Sequence, residues 1–122
     1  MNLEISLKTQ IVRSFNLSEN GLSSMKTKIK ATMLEGDDIL LLTNTQIGRN
    51  RRIIEKEFLI GGENPYKIYT NSSASDARGV LIAIRIQANI QVIDTAKDDE
   101  DRILILKIAK GNETLTIGCV YD

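Results

Sequence analysis

Apolar residues are spaced in two ways along this chain, and the changes of spacing mark its elements. Ile11 to Leu17 is β-branched and aromatic at its core positions and is closed by the polar run Ser18, Glu19, Asn20, Gly21, which predicts a first strand ending near Asn16. From Leu22 the spacing changes. Leu22, Met25, Ile29 and Met33 recur at every third or fourth position with Lys26, Lys28 and Lys30 between them, the stripe of an amphipathic helix that Gly36 is placed to stop. Asp38 then opens Ile39-Leu40-Leu41-Leu42, a short continuous apolar run of the kind found in a strand buried on both faces.

Arg49 to Phe58 predicts a second, shorter helix with Ile54 and Phe58 on one side, ended by Gly61-Gly62 and Asn64-Pro65. The remainder reads as β structure. Strands are predicted at Tyr66 to Thr70, Gly79 to Ile86, Ile90 to Thr95 and Ile103 to Ile108, and the alternation of Leu115, Ile117, Cys119 and Tyr121 predicts a fifth. Lys110-Gly111-Asn112 is a hairpin signal between the last two. Strand, helix and buried strand form a βαβ-like unit whose strand direction the pattern leaves open. Followed by consecutive strands, it predicts an α+β fold in one domain, with a mostly antiparallel mixed sheet, one long helix and one short one.

Composition narrows the chemistry. The chain has 16 basic and 16 acidic side chains, so no long-range field draws it to nucleic acid or to an anionic membrane, and contact with either would need a local patch. Histidine is absent, which excludes Ser-His-Asp and Cys-His nucleophiles and histidine-ligated zinc within these 122 residues. One cysteine, Cys119, forms no internal disulfide and reads as a small buried hydrophobe. No apolar window reaches the roughly 20 residues that span a bilayer, and Met1 to Ile11 lacks the order of a signal peptide. A cytosolic or nuclear location without membrane contact is the expectation.

Four segments, taken in order, resemble the endonuclease/exonuclease/phosphatase (deoxyribonuclease I-like) superfamily, and most closely the endonuclease domains of non-LTR (LINE-type) retrotransposons. Ile11-Val12-Arg13-Ser14-Phe15-Asn16-Leu17 resembles the opening strand, whose terminal asparagine lies beside the catalytic metal. Asp38 to Ile47 is similar to the strand ending in a Gln-Glu-Thr-His-like motif, where the glutamate ligates magnesium. Arg78 to Ile84 resembles the Gly-Val-Ala-Ile-Leu strand, and Thr116 to Tyr121 the strand with an active-site tyrosine. The resemblance covers nearly the whole chain and corresponds to the N-terminal half of a four-layer α/β sandwich.

That resemblance implies a phosphodiester hydrolase in which Mg²⁺ neutralises phosphate charge while a histidine and carboxylates help water attack phosphorus. It implies that Asn16 orients a metal ligand or phosphate, that Tyr121 hydrogen-bonds the scissile phosphate, and that Asn44 occupies the metal-ligand glutamate position. It further implies DNA as the substrate and an attached reverse transcriptase. Asn44 departs from the pattern because a neutral amide lacks the charge that holds a divalent ion against its hydration water. The sequence stops before the downstream Asp-x-Asn and Ser-Asp-His motifs. The resemblance therefore implies a fragment that is inactive alone, and whose uncovered sheet takes the missing C-terminal half or self-associates.

The residues also carry plainer readings. Asn16 and Asn44 suit strand-ending turns, and Tyr121 lies on the alternation of a core face with its hydroxyl at the rim. Arg49, Arg51 and Arg52 could grip DNA phosphates, or could form a solvated helix face with Glu55 and Glu57. Asp98 to Asp101 lacks the spaced ligands and glycine of a calcium loop and reads as a solvated turn. A non-enzymatic α+β binding or scaffolding module, using the exposed sheet to pair with a partner, is the alternative function.

Overall fold

The computed structural model describes residues 3–7, 10–16, 38–43, 65–71 and 79–120. They contain eight strands: β1 (Leu3–Leu7), β2 (Gln10–Asn16), β3 (Ile39–Thr43), β4 (Tyr66–Asn71), β5 (Val80–Arg85), β6 (Gln91–Lys97), β7 (Ile103–Lys110) and β8 (Glu113–Val120). A single 3-10 turn, Ile86–Ala88, follows β5 and ends at Asn89 in the left-handed region. The helices expected at Leu22 to Met33 and Arg49 to Phe58 lie outside the described residues.

Strands β1 to β5 form one sheet in the order β1-β2-β3-β5-β4, and β6, β7 and β8 form a second in sequence order. The direction left open by the pattern is now fixed: β2 and β3 pair in parallel, and every other described pair is antiparallel. The segment between Asn16 and Ile39 is far longer than the roughly dozen residues that a parallel crossover needs.

Strand β1 was not expected. Leu3, Ile5 and Leu7 alternate with Glu4 and Ser6, the half-buried strand pattern, and Leu7 pairs with Gln10 so closely in sequence that β1 and β2 are consecutive antiparallel neighbours.

The two sheets pack face to face. Ile39 and Leu41 of β3 and Val80, Ile82 and Ile84 of β5 meet Leu104, Leu106 and Ile108 of β7 and Ile117 and Cys119 of β8. Tyr69, Ile90, Val92 and Leu115 close the margins of this core. The other face of β3 and β5 is buried as well: Leu40, Leu42, Leu81 and Ala83 have no exposed surface. That is why these strands read as continuous apolar runs, since a side chain of either parity must leave water. Each such leucine or isoleucine contributes about 1.5–3 kcal/mol relative to remaining exposed. In β7, by contrast, burial alternates, with Leu104, Leu106 and Ile108 buried and Lys107 exposed.

Lys110 and Glu113 close the β7–β8 hairpin over Gly111 and Asn112. Gly111 has φ +60° and Asn112 does not share the positive φ, the arrangement of a type II′ turn with glycine first. The connection from β6 to β7 differs from the solvated turn expected there. Asp99 and Glu100 are exposed, but Asp98 is half-buried, and Asp101 is buried at φ +59°.

Candidate functional site

One end of the sandwich gathers the strand ends on which candidate chemistry was expected. Asn16 is the last residue of β2 and pairs with Thr43, the last residue of β3. Thr43 pairs with Val80 at the start of β5, and Val80 with Asn71 at the end of β4. Asn16, Thr43, Val80 and Asn71 therefore form one row across four strands. The row begins at the C-terminal ends of the parallel pair, the position at which open sheets commonly hold ligands.

The second sheet reaches the same end. The Cys119 thiol donates to the Leu42 carbonyl at 3.3 Å, and Val120 pairs with Ile103, whose carbonyl accepts from Asn71 Nδ2 at 2.7 Å. Asn16, the residue preceding Asn44 and the residue preceding Tyr121 thus lie at one end of the molecule. Asn44, Tyr121, Arg49, Arg51 and Arg52 themselves lie outside the described residues.

The polar junction at this end is the feature that sequence reading missed. Asn71 is 3% exposed, and its amide donates to the Asp98 carbonyl at 3.1 Å and to Asp98 Oδ1 at 2.9 Å, besides Ile103. Asp98 Oδ1 also accepts from the backbone N–H groups of Arg102 at 3.1 Å and Ile103 at 3.0 Å. Desolvation pushes the Asp98 carboxyl up, but the hydrogen bonds from Ile103, Arg102, Asn71 and Glu100 outweigh it and hold the group below its usual value of 3.8. Nothing local in the sequence signals this pairing, because an asparagine ending one strand and an aspartate opening a turn each suit an ordinary turn.

A second polar contact sits at the other end of β3. Asp38 accepts an ion-paired hydrogen bond from Arg85 Nη2, and the Asp38 carbonyl accepts from the Arg85 backbone N–H at 2.8 Å. Asp38 is buried, so the pair fastens the start of β3 to the end of β5.

These groups position strands; they do not supply acid–base or nucleophilic chemistry. The Asp98 carboxylate is committed to structural donors. Burial pushes the Cys119 thiol up to about 12, against a smaller opposing effect of the Leu81 backbone, so it stays protonated and unreactive at neutral pH. Among the described residues no group of three or more Asp, Glu, His or Cys could hold a metal ion. Asn16 and Thr43 offer neutral oxygens only, so the described donors do not fit the one or two carboxylates that Mg²⁺ ordinarily requires. Among the described residues no helix is long and apolar enough to cross a membrane.

No protein-family model matches the chain, and no curated protein sequence matches it. Solved structures do. The chain is similar to an AP endonuclease from Archaeoglobus fulgidus, with a TM-score of 0.60 and 23% identity over 80% of this chain and 37% of that one. Truncated Caenorhabditis elegans TDP2 gives a TM-score of 0.62 and 20% identity over 86% of this chain and 43% of that one. The endonuclease domain of TRAS1, a telomere-specific non-LTR retrotransposon, gives 0.57 and 13% over 91% of this chain and 45% of that domain. The chain spans less than half the length of each.

Proposed function

For a chain that adopts part of the endonuclease/exonuclease/phosphatase (deoxyribonuclease I-like) fold, we propose the function of a fragment of a DNA phosphodiester-cleaving domain, inactive alone. The observation that carries this reading is the convergence at one end of the sandwich of β2, β3 and β8, the strands that bear or immediately precede Asn16, Asn44 and Tyr121. In the complete four-layer domain Asn16 would orient a phosphate oxygen, and Tyr121 would donate to the scissile phosphate. Arg49, Arg51 and Arg52 would meet the DNA backbone. The finer reading is an endonuclease domain joined to a reverse transcriptase, working in the nucleus or cytosol on DNA nicked to prime synthesis. One neighbour, the TRAS1 domain, is the endonuclease of a retrotransposon.

Magnesium belongs to this reading as the ion that would neutralise phosphate charge. Asn44, at the metal-ligand position, supplies no charge to hold it. The chain should therefore leave supercoiled plasmid intact in both magnesium and EDTA, and metal-dependent nicking would refute inactivity. Asn44→Glu tests the site itself. In a calorimetric titration the variant should gain Mg²⁺ affinity that the parent lacks, and equal heats from the two would remove Asn44 from any metal site.

A non-enzymatic binding module is the second reading. It is favoured by one observation, that among the described residues no strand pairs with β8 on the side away from β7.

A further inference from the structure

Asn71 stands between the two strand ends that lead into Tyr121 and Asn44. On its own sheet it is the register partner of Val80, and Val80 is the partner of Thr43, the residue before Asn44. Across the sandwich its Nδ2 donates to the Ile103 carbonyl at 2.7 Å, and Ile103 is the register partner of Val120, the residue before Tyr121. One side chain therefore ties the two sheets within a register step of the end of β8.

Asp98 completes the hold on Ile103. Its Oδ1 accepts from the Ile103 N–H at 3.0 Å and from Asn71 Nδ2 at 2.9 Å, so the Asn71–Asp98 pair grips both backbone groups of Ile103. The neighbouring tie between the sheets is made by Cys119, whose thiol donates to the Leu42 carbonyl at 3.3 Å. A thiol is a weak donor, which leaves the Asn71 amide as the stronger of the two ties.

An amide is the group this position requires. The two N–H groups of Asn71 Nδ2 face the Ile103 carbonyl, the Asp98 carboxylate and the Asp98 carbonyl, the last at 3.1 Å, and all three are acceptors. That fixes which way the amide points, because its own oxygen turned toward them would find no proton. Asn71 is buried, so these groups and not solvent set the orientation. An aspartate has nearly the same shape but no proton to donate at neutral pH, and it would set one carboxylate against another.

We propose that Asn71 is a positioning residue for Tyr121, setting where the end of β8, which leads into Tyr121, lies against the end of β3, which leads into Asn44. What Tyr121 does rests on the nuclease reading. The position that Asn71 imposes does not.

The test is a nuclear magnetic resonance spectrum of the intact chain with ¹³C-labelled tyrosine rings, in which Tyr121→Phe identifies the Tyr121 signal among the three tyrosines. Asn71→Asp should displace that signal by more than its line width. Tyr66, at the opposite end of β4, should keep its position, whereas a general loosening of the fold would move both. Asn71→Ser keeps a single donor and should displace the Tyr121 signal less, and it carries the test if Asn71→Asp fails to fold. An unmoved Tyr121 signal in either folded variant, or equal movement of Tyr66 and Tyr121, would overturn the proposal. The Mg²⁺ titration of Asn44→Glu tests the nuclease reading separately. Equal heats there, together with a displaced Tyr121 signal, would refute that reading and uphold the positioning.

Discussion

Asn71 and Asp98 are 27 residues apart in sequence, yet the Asn71 amide donates to both the carbonyl and the carboxylate of Asp98. The pair joins the end of β4, in the larger sheet, to the turn between β6 and β7, in the smaller one. Because Asn71 shares its row with Val80, Thr43 and Asn16, the same contact sets how the second sheet meets the candidate site.

Asn71→Ala removes the side-chain donor to the Asp98 carbonyl and leaves the Ile103 carbonyl with only the longer contact from the Asp98 N–H at 3.4 Å. The substitution should destabilise the fold by about 1–3 kcal/mol, the cost of stranding buried polar groups. Urea unfolding followed by circular dichroism would measure it, and an unchanged midpoint would show that water replaces the amide.

The same junction makes stability depend on acid. The Asp98 carboxyl is held below its ordinary 3.8, so its contribution is fully present above that value and is lost as pH falls through the lower folded-state value. Denaturation midpoints of parent and Asp98→Asn should differ near neutral pH and converge under acid conditions, where the parent carboxylate is protonated. A constant difference at every pH would show that Asp98 contributes no linkage.

Cys119 should resist iodoacetamide at pH 8 in the folded chain and react on unfolding. Its thiol is buried, bonded to the Leu42 carbonyl and pushed up to about 12, so almost none is thiolate. Rapid native labelling followed by mass spectrometry would show that β8 opens at its C-terminal end.

Gly111 has open space around the position of a β-carbon, so its requirement for glycine is one of backbone conformation alone. At φ +60°, Gly111→Ala should cost roughly 1–2 kcal/mol in the same unfolding assay. Gly118, whose backbone lies outside that region, should accept alanine at smaller cost.

Some of this molecule is written locally. The run Ile39 to Leu42 fixes a strand buried on both faces, because no parity of side chain is polar. The alternation of Leu115, Ile117 and Cys119 fixes which side of β8 meets the core, and Gly111 fixes the turn before it. Absence of histidine fixed which mechanisms these residues do not run. Leu3, Ile5 and Leu7 carried the same alternation, and β1 was legible without being read.

Tertiary structure decided the rest, because pairing is non-local. Periodicity does not say that β3 lies between a parallel β2 and an antiparallel β5, or that β5 precedes β4 in the sheet. Nor does it bring Asn71 to Asp98, or Arg85 to Asp38, since each of these polar groups finds its partner only after the sheets that carry them have packed. The strands follow from the spacing of apolar residues along the chain, and the candidate site follows from which strand ends the packing brings side by side.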